Sequence, residues 1–526
     1  MYDILIQNAS VIDGTGRPAY GADVAVKDGK IFINPEVSHA AEVIDAAGLV
    51  LCPGFIDSHS HGDRIFGTEA GQLCKTNQGI TTELAGQCGM TTYPVSRDPE
   101  KRDMHQQALG SMEVPAAFDT FTDLENYLKW AEKQPLTCNF KLYVGHRALR
   151  IAAMGFDARK PTGEELEHMK TMLREAMEHG AMGLTSGLIY PPSSYADEEE
   201  LTALCRIVAE YDGVYATHMR NEAEAVVDSV RESISVAERA GCRLNISHHK
   251  VCGRDNWGLS VQTLRLIHEA IGRGVRITMD VYPYTASSTN LNVCLPASFF
   301  AHGPKEMTRL LANPKVRVSL KEEMTGKNGR WHNCGGWSGV MVTCAPEDRD
   351  AEGKTIEAYA EQIGKDPFEA YFDLVLRNGH GAQAIYFFMG EEDLQRIMAD
   401  ENAVVGTDGL VKDLHTPSHP RGFASFPKAI RYFVREKKLF TLEEMIRKMT
   451  SLPAERFGIR NKGAILDGYD ADLLLIDPDR IADKADYANG LALCDGIERV
   501  MVSGITVYQN KQLTGATPGR FIPHNR

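Results

Sequence analysis

No C-x-x-C pair occurs in the chain, and its eleven cysteines are scattered and odd in number. That pattern argues against a disulfide framework and makes a reducing cytoplasm the expected setting. No apolar run reaches the length that spans a bilayer, so no membrane partner is expected. The opening MYDILIQNAS lacks the basic and long apolar segments of a secretory leader. Positive charge is in deficit: the net charge of -14 argues against a nucleic-acid partner. No glycine-rich nucleotide fingerprint opens any strand–helix unit.

What is present is the composition of an enzyme-sized globular protein, with 43% apolar and 24% charged residues in 526. Both ends read as short strands. Asp28-Gly29 signals a hairpin before Lys30-Ile31, and Val500-Met501-Val502 with Ile505-Thr506-Val507-Tyr508 reads as another. One small β domain assembled from residues 1–50 and 456–526 is the expectation. The middle, 51–455, alternates strands and helices. Strands are predicted at 49–57, 79–86, 139–145, 181–186, 213–217, 243–247, 275–281 and 402–406. The clearest helix is Glu164 to His179, with a Thr162/Glu165 capping box and Gly180 after its end. Eight such units predict a (β/α)8 barrel in an α/β fold, with a doubly wound open sheet as the alternative. About 120 residues separate the last two strands, and residues 290–365 read as a lid inserted over the barrel mouth.

The chemistry gathers at predicted strand ends. The stretch LVLCPGFIDSHSHGD delivers His59 and His61, which share a strand face and suit a zinc ion. An isolated H-x-H is equally at home in a surface turn. The second strand ends on Cys88 in Gly-Gln-Cys-Gly, the fifth on His218, the sixth on His248, and the eighth on Asp408 in Thr-Asp-Gly. Each residue alone also has a structural reading: a buried thiol, a satisfied histidine, a turn aspartate. Together they stand where a barrel converges its chemistry.

PGFIDSHSHGD, GQCG, GHRALR, GLTSGLIYPP, ATHMRNE, ISHHK, DVYPYTASST, VVGTDG, HPRGFASFP and MTSLPAERFGI follow in order. In these motifs the chain resembles the amidohydrolase superfamily, and within it the D-aminoacylase group, over nearly its whole length. The resemblance implies a barrel flanked by a β-sandwich from both termini. It also implies zinc: one tight site of Cys88, His218 and His248, and a second, weaker one of His59, His61 and Asp408. Strand four, Ala181-Met182-Gly183-Leu184-Thr185-Ser186-Gly187, lacks the lysine that bridges two metals in many relatives.

The implied reaction is hydrolysis of an N-acyl-D-amino acid, a small-molecule substrate, with Asp408 as proton shuttle. Tyr190 is a candidate for stabilising the oxyanion, with packing as its other role. Lys250, Tyr282, Ser288 and Arg421 are implied to hold the α-carboxylate. The stretch from Thr285 to Phe300 carries no Lys or Arg, so an apolar substrate side chain is expected against it. A cyclic amidase of the hydantoinase or dihydroorotase kind, a deaminase using His218 and Glu222, and a non-enzymatic scaffold are the alternatives.

Overall fold

The computed structural model describes all residues except 37–38, 111–113, 301–302, 327–328 and 525–526. The expected terminal parts, barrel and lid each contain some of those excepted positions.

Eight parallel strands follow one another around a barrel. They are Phe55–Ser60, Ile80–Ala85, Asn139–Leu142 with its continuation Val144–Gly145, Gly183–Gly187, Val214–His218, Arg243–Ile246, Ile277–Val281 and Ala403–Val405. Strand eight pairs with strand seven, and a parallel bridge from Ser60 to Gly409 closes the ring. Alternation along each strand sorts its side chains. In strand five, Val214 and Ala216 pack inside with Ile56, Leu84, Met182 and Val404, while Tyr215 joins the outer core against the helices. His218 continues the inward set at the strand's end, at the same face as Ala216.

The expected first strand, 49–57, is two strands parted at Gly54. Val50–Pro53 belongs to a different sheet, and Phe55–Ser60 begins the barrel. A side chain at Gly54 would have its Cβ 2.1 Å from Thr81 Oγ1, so only glycine lets the chain cross between sheets there. The second sheet has nine strands drawn from both ends of the chain. Val50–Pro53 lies at its middle, parallel to Tyr2–Val11 and antiparallel to Leu473–Ile476. Ile4, Val24, Leu51, Leu473 and Met501 share one core on it. Asp28 and Gly29 both have positive φ, as the two-residue hairpin turn requires.

The helix expected from Glu164 runs Gly163–Glu178 with both halves of its capping box formed. Between strands seven and eight the insertion builds its own antiparallel sheet, from Ala286–Asn290, Gln383–Phe387 and Val340–Cys344. The sheet's middle strand lies beyond residue 365. The insertion also has its own core, including Trp337, Phe368, Tyr371 and Tyr386. Among the described residues no helix is long and apolar enough to cross a membrane.

Candidate metal centre and catalytic pocket

Histidine, cysteine and aspartate side chains from five strand ends meet at the barrel mouth. Cys88 Sγ lies 3.4 Å from His59 Nε2 and 3.5 Å from His248 Nε2. Asp408 Oδ1 lies 3.5 Å from His59 Nε2 and 3.2 Å from His61 Nε2. The His218 and His248 ring centroids are 4.4 Å apart. Donor atoms of His59, Cys88, His248 and Asp408 all fall within 4.8 Å of one another, and so do those of His218, Glu222 and His248. All six expected ligands are therefore assembled. The expected split into two triads is blurred, since Cys88 stands between His59 and His248.

Local backbone strain marks the same places. Cys88, His248 and Asp408 all have positive φ, a region that costs a side-chain-bearing residue energy and persists where surroundings impose it. For Asp408 the constraint is its N–H, which donates to His59 O at 2.9 Å. For Cys88 it is strand four. Thr185 Oγ1 donates to Gly86 O at 2.7 Å and accepts from the Gly89 N–H at 3.1 Å. A Cβ on Gly187 would meet the Cys88 carbonyl at 2.4 Å. The Gly-Gln-Cys-Gly turn thus occupies the space at the end of strand four and aims its thiol at the centre.

Neighbouring charges hold the thiol and the carboxylate of the centre deprotonated, while the same anions push His59, His61 and His248 up. Burial raises the Cys88 thiol, but His59 and His248 outweigh it and hold it well below its ordinary value. Burial also opposes ionisation of Asp408, yet Arg421, His248 and His59 hold its carboxyl well below the usual range. Among the described residues neither buried ring nitrogen of His218 has a hydrogen-bond partner, Glu222 Oε2 standing 3.6 Å from its Nε2, which is costly unless something else binds there. One thiolate, four imidazoles and a carboxylate are a donor set suited to zinc.

Two carboxylates that the sequence did not single out as ligands orient the histidines. Asp280 Oδ1, from strand seven, lies 3.0 Å from His59 Nδ1 and accepts the His248 N–H at 2.7 Å. Glu222 Oε1 lies 3.1 Å from His248 Nδ1 and accepts from Lys250 Nζ at 2.5 Å. Asp280 stood in the quoted DVYPY motif, where an aspartate inside an apolar strand was the available signal.

The expected carboxylate-binding residues are also gathered here, with internal partners. Arg421 Nη1 lies 2.7 Å from Asp408 Oδ2, Nη2 donates to Ser288 O at 3.0 Å, and the guanidinium covers the Tyr282 ring at 4.8 Å. Lys250 is 2.6 Å from His248 Nδ1 and 5.8 Å above the Tyr282 ring centroid. Tyr190 packs edge-on to His218, with its hydroxyl 3.0 Å from Thr289 Oγ1. Burial pushes its phenol up, so it keeps its proton.

Cys88, His218, His248 and Asp408 face a pocket of only about 50 Å³. Beside it, under the insertion, lies a cavity of about 820 Å³. Tyr190, Glu222, Asn290 and Arg330 line both.

A parallel barrel with a converged His, Cys and Asp cluster at its carboxyl end defines a metal-dependent hydrolase. The amidohydrolase family model matches residues 42–508, and the chain belongs to that family. It is 34% identical to D-aminoacylase of Alcaligenes xylosoxydans xylosoxydans, over 99% of this chain and 97% of that one. It is also 34% identical to the N-acyl-D-aspartate deacylase of the same organism, over 99% and 95%. Among solved structures it superposes on N-acyl-D-glutamate deacylase of Bordetella bronchiseptica, complexed with zinc and a phosphonate inhibitor. The TM-score is 0.83 at 32% identity, covering 99% of each chain.

Proposed function

We propose that the chain hydrolyses the amide bond of N-acyl-D-amino acids to a carboxylate and a free D-amino acid, using zinc. The observation that carries this reading is Cys88, presented between His59 and His248 from a turn that fills the end of a lysine-free strand four. His59, His61, Cys88, His218, His248 and Asp408 would hold zinc, which when bound would supply an acidified water and Lewis-acid polarisation of the amide carbonyl. Cys88, His218 and His248 would hold the tighter metal and His59, His61 and Asp408 the weaker, with Cys88 near enough to His59 to serve both.

The remaining work falls to the chain's own groups. Asp408 takes a proton from the attacking water and returns it to the amide nitrogen as the C–N bond breaks. Tyr190 keeps its O–H and offers it to the oxygen on which charge develops. Lys250, Tyr282, Ser288 and Arg421 hold the α-carboxylate and with it the D configuration. A deaminase reading is disfavoured by Glu222. Its Oε1 is engaged by Lys250 Nζ and lies 3.1 Å from His248 Nδ1, the position of a group that orients a ligand. Cysteine usage supports a reducing, cytoplasmic location: all eleven are free and buried.

A panel of N-acetyl-D- and N-acetyl-L-amino acids, hydantoins and aminopurines, with zinc-loaded protein, tests the reading. Turnover of the D-amides is expected. Turnover of a hydantoin or an aminopurine in their place would overturn it.

A further inference from the structure

Arg330, in the insertion, is a cation without an acid. Its guanidinium lies over the rings of Tyr386 and Phe388, with centroids 5.1 and 5.5 Å away. Among the described residues it makes no hydrogen bond or ion pair with any carboxylate. The other cations at the site are engaged differently: Lys250 is paired with Glu222 and Arg421 with Asp408. Among the described residues none of the carboxylates around the wide cavity is paired with Arg330, although Glu224 and Glu323 keep their charge. Glu222 serves Lys250, Glu224 accepts from Asn221, and Glu323 accepts from Ser298. Arg330 is half-buried, and a guanidinium partly withdrawn from water without a counter-charge favours a ligand that supplies one.

Position says which ligand. The catalytic pocket, at about 50 Å³, is too small for an acylated amino acid, so part of the substrate extends into the neighbouring cavity of about 820 Å³. Arg330 lines both spaces, with Tyr190, at the passage between them. A second arginine of the wide cavity, Arg147, is bonded only to the carbonyls of Pro191 and Ala108. Arg330 and Arg147 thus bring cationic groups to the lining of the wide cavity. The expectation of an apolar side chain, drawn from Thr285 to Phe300 alone, leaves out this contribution from farther along the insertion.

We infer that Arg330 binds a second carboxylate of the substrate, so that the preferred N-acyl-D-amino acids are dianions. Arg330 is then a specificity-determining residue, and its planar fork suits a carboxylate. This inference rests on the deacylase reading. The second carboxylate has two possible sources, the amino-acid side chain or the acyl group, and the test separates them.

N-acetyl-D-glutamate is compared with N-acetyl-D-glutamine, and N-succinyl-D-leucine with N-butyryl-D-leucine, on the zinc-loaded wild type and on Arg330→Met and Arg330→Lys. In one of the two pairs the acid is expected to have the higher kcat/KM, and that pair names the source. Arg330→Met should lower kcat/KM for that acid by about 10- to 100-fold, chiefly through KM, with the neutral partner changed less than about threefold. Arg330→Lys should recover part of the loss. Neutral substrates turned over as fast as the acids, or an Arg330→Met variant that keeps the wild-type preference, would overturn this inference alone. No turnover of any of the four substrates by the wild type would instead defeat the deacylase reading and the assignment built on it.

Discussion

Arg421 and Asp408 form a buried ion pair, with Nη1 2.7 Å from Oδ2 and both side chains less than one-tenth exposed. The residue that the motifs assign to the substrate's carboxylate therefore also holds the residue assigned to proton transfer. Removing one partner of such a pair leaves the other buried and uncompensated, at a cost of about 2 kcal/mol or more. Arg421→Ala should raise KM for N-acetyl-D-amino acids and lower kcat as well, for a fall in kcat/KM of roughly 30-fold or more. Wild-type steady-state kinetics in that variant would remove Arg421 from both roles.

Cys88 is the proposed ligand that would distinguish this site from one built on a strand-four lysine. Cys88→Ala should lose most bound zinc and most activity, since neither His59 nor His248 can replace a thiolate lying between them. Elemental analysis of the purified variant checks this. A full complement of zinc would contradict it.

Asp408 is the carboxylate at the end of strand eight, and its N–H is fixed to His59 O. Asp408→Asn should lower kcat by at least about 10²-fold, the lower range for a positioned acid–base group. The variant's zinc content must be measured alongside. Wild-type kcat with zinc bound would rule out the proton-shuttle role.

Beneath the site a buried network ties strands one, two and eight together. Lys75 Nζ lies 2.6 Å from Asp57 Oδ2 and 3.3 Å from Glu83 Oε2, and Asp57 Oδ1 accepts the Thr407 N–H at 2.8 Å. Lys75→Met strands two carboxylates and should destabilise the protein by about 3–5 kcal/mol. A urea unfolding midpoint equal to the wild type's would show that the network contributes nothing.

Features written in local pattern were legible in the sequence. His218 follows Val214 and Ala216 on the inward face, and the capping box at Thr162 fixes a helix start that the structure reproduces. Features set by distant partners were not. The break at Gly54 depends on Thr81 crossing close to it, which no local alternation reveals. Asp280 orients His248 on the neighbouring strand and also reaches His59, and Arg421 meets Asp408 across a loop, whereas the pair of His218 with Glu222, four residues on, was open to a sequence reading. The strand Gln383–Phe387 was hidden in the long insertion because its partners, Ala286–Asn290 and Val340–Cys344, lie at least 39 residues away in the chain (383 − 344).

The central claim is a zinc-dependent amide hydrolysis restricted to one hand of the substrate. Its most direct measurement is amine release from paired N-acetyl-D- and N-acetyl-L-amino acids by one preparation, before chelation, after chelation and after zinc is restored. Turnover of the D member alone is expected, lost on chelation and regained with zinc. Equal kcat/KM for the two enantiomers, or full activity in the zinc-free protein, would contradict it.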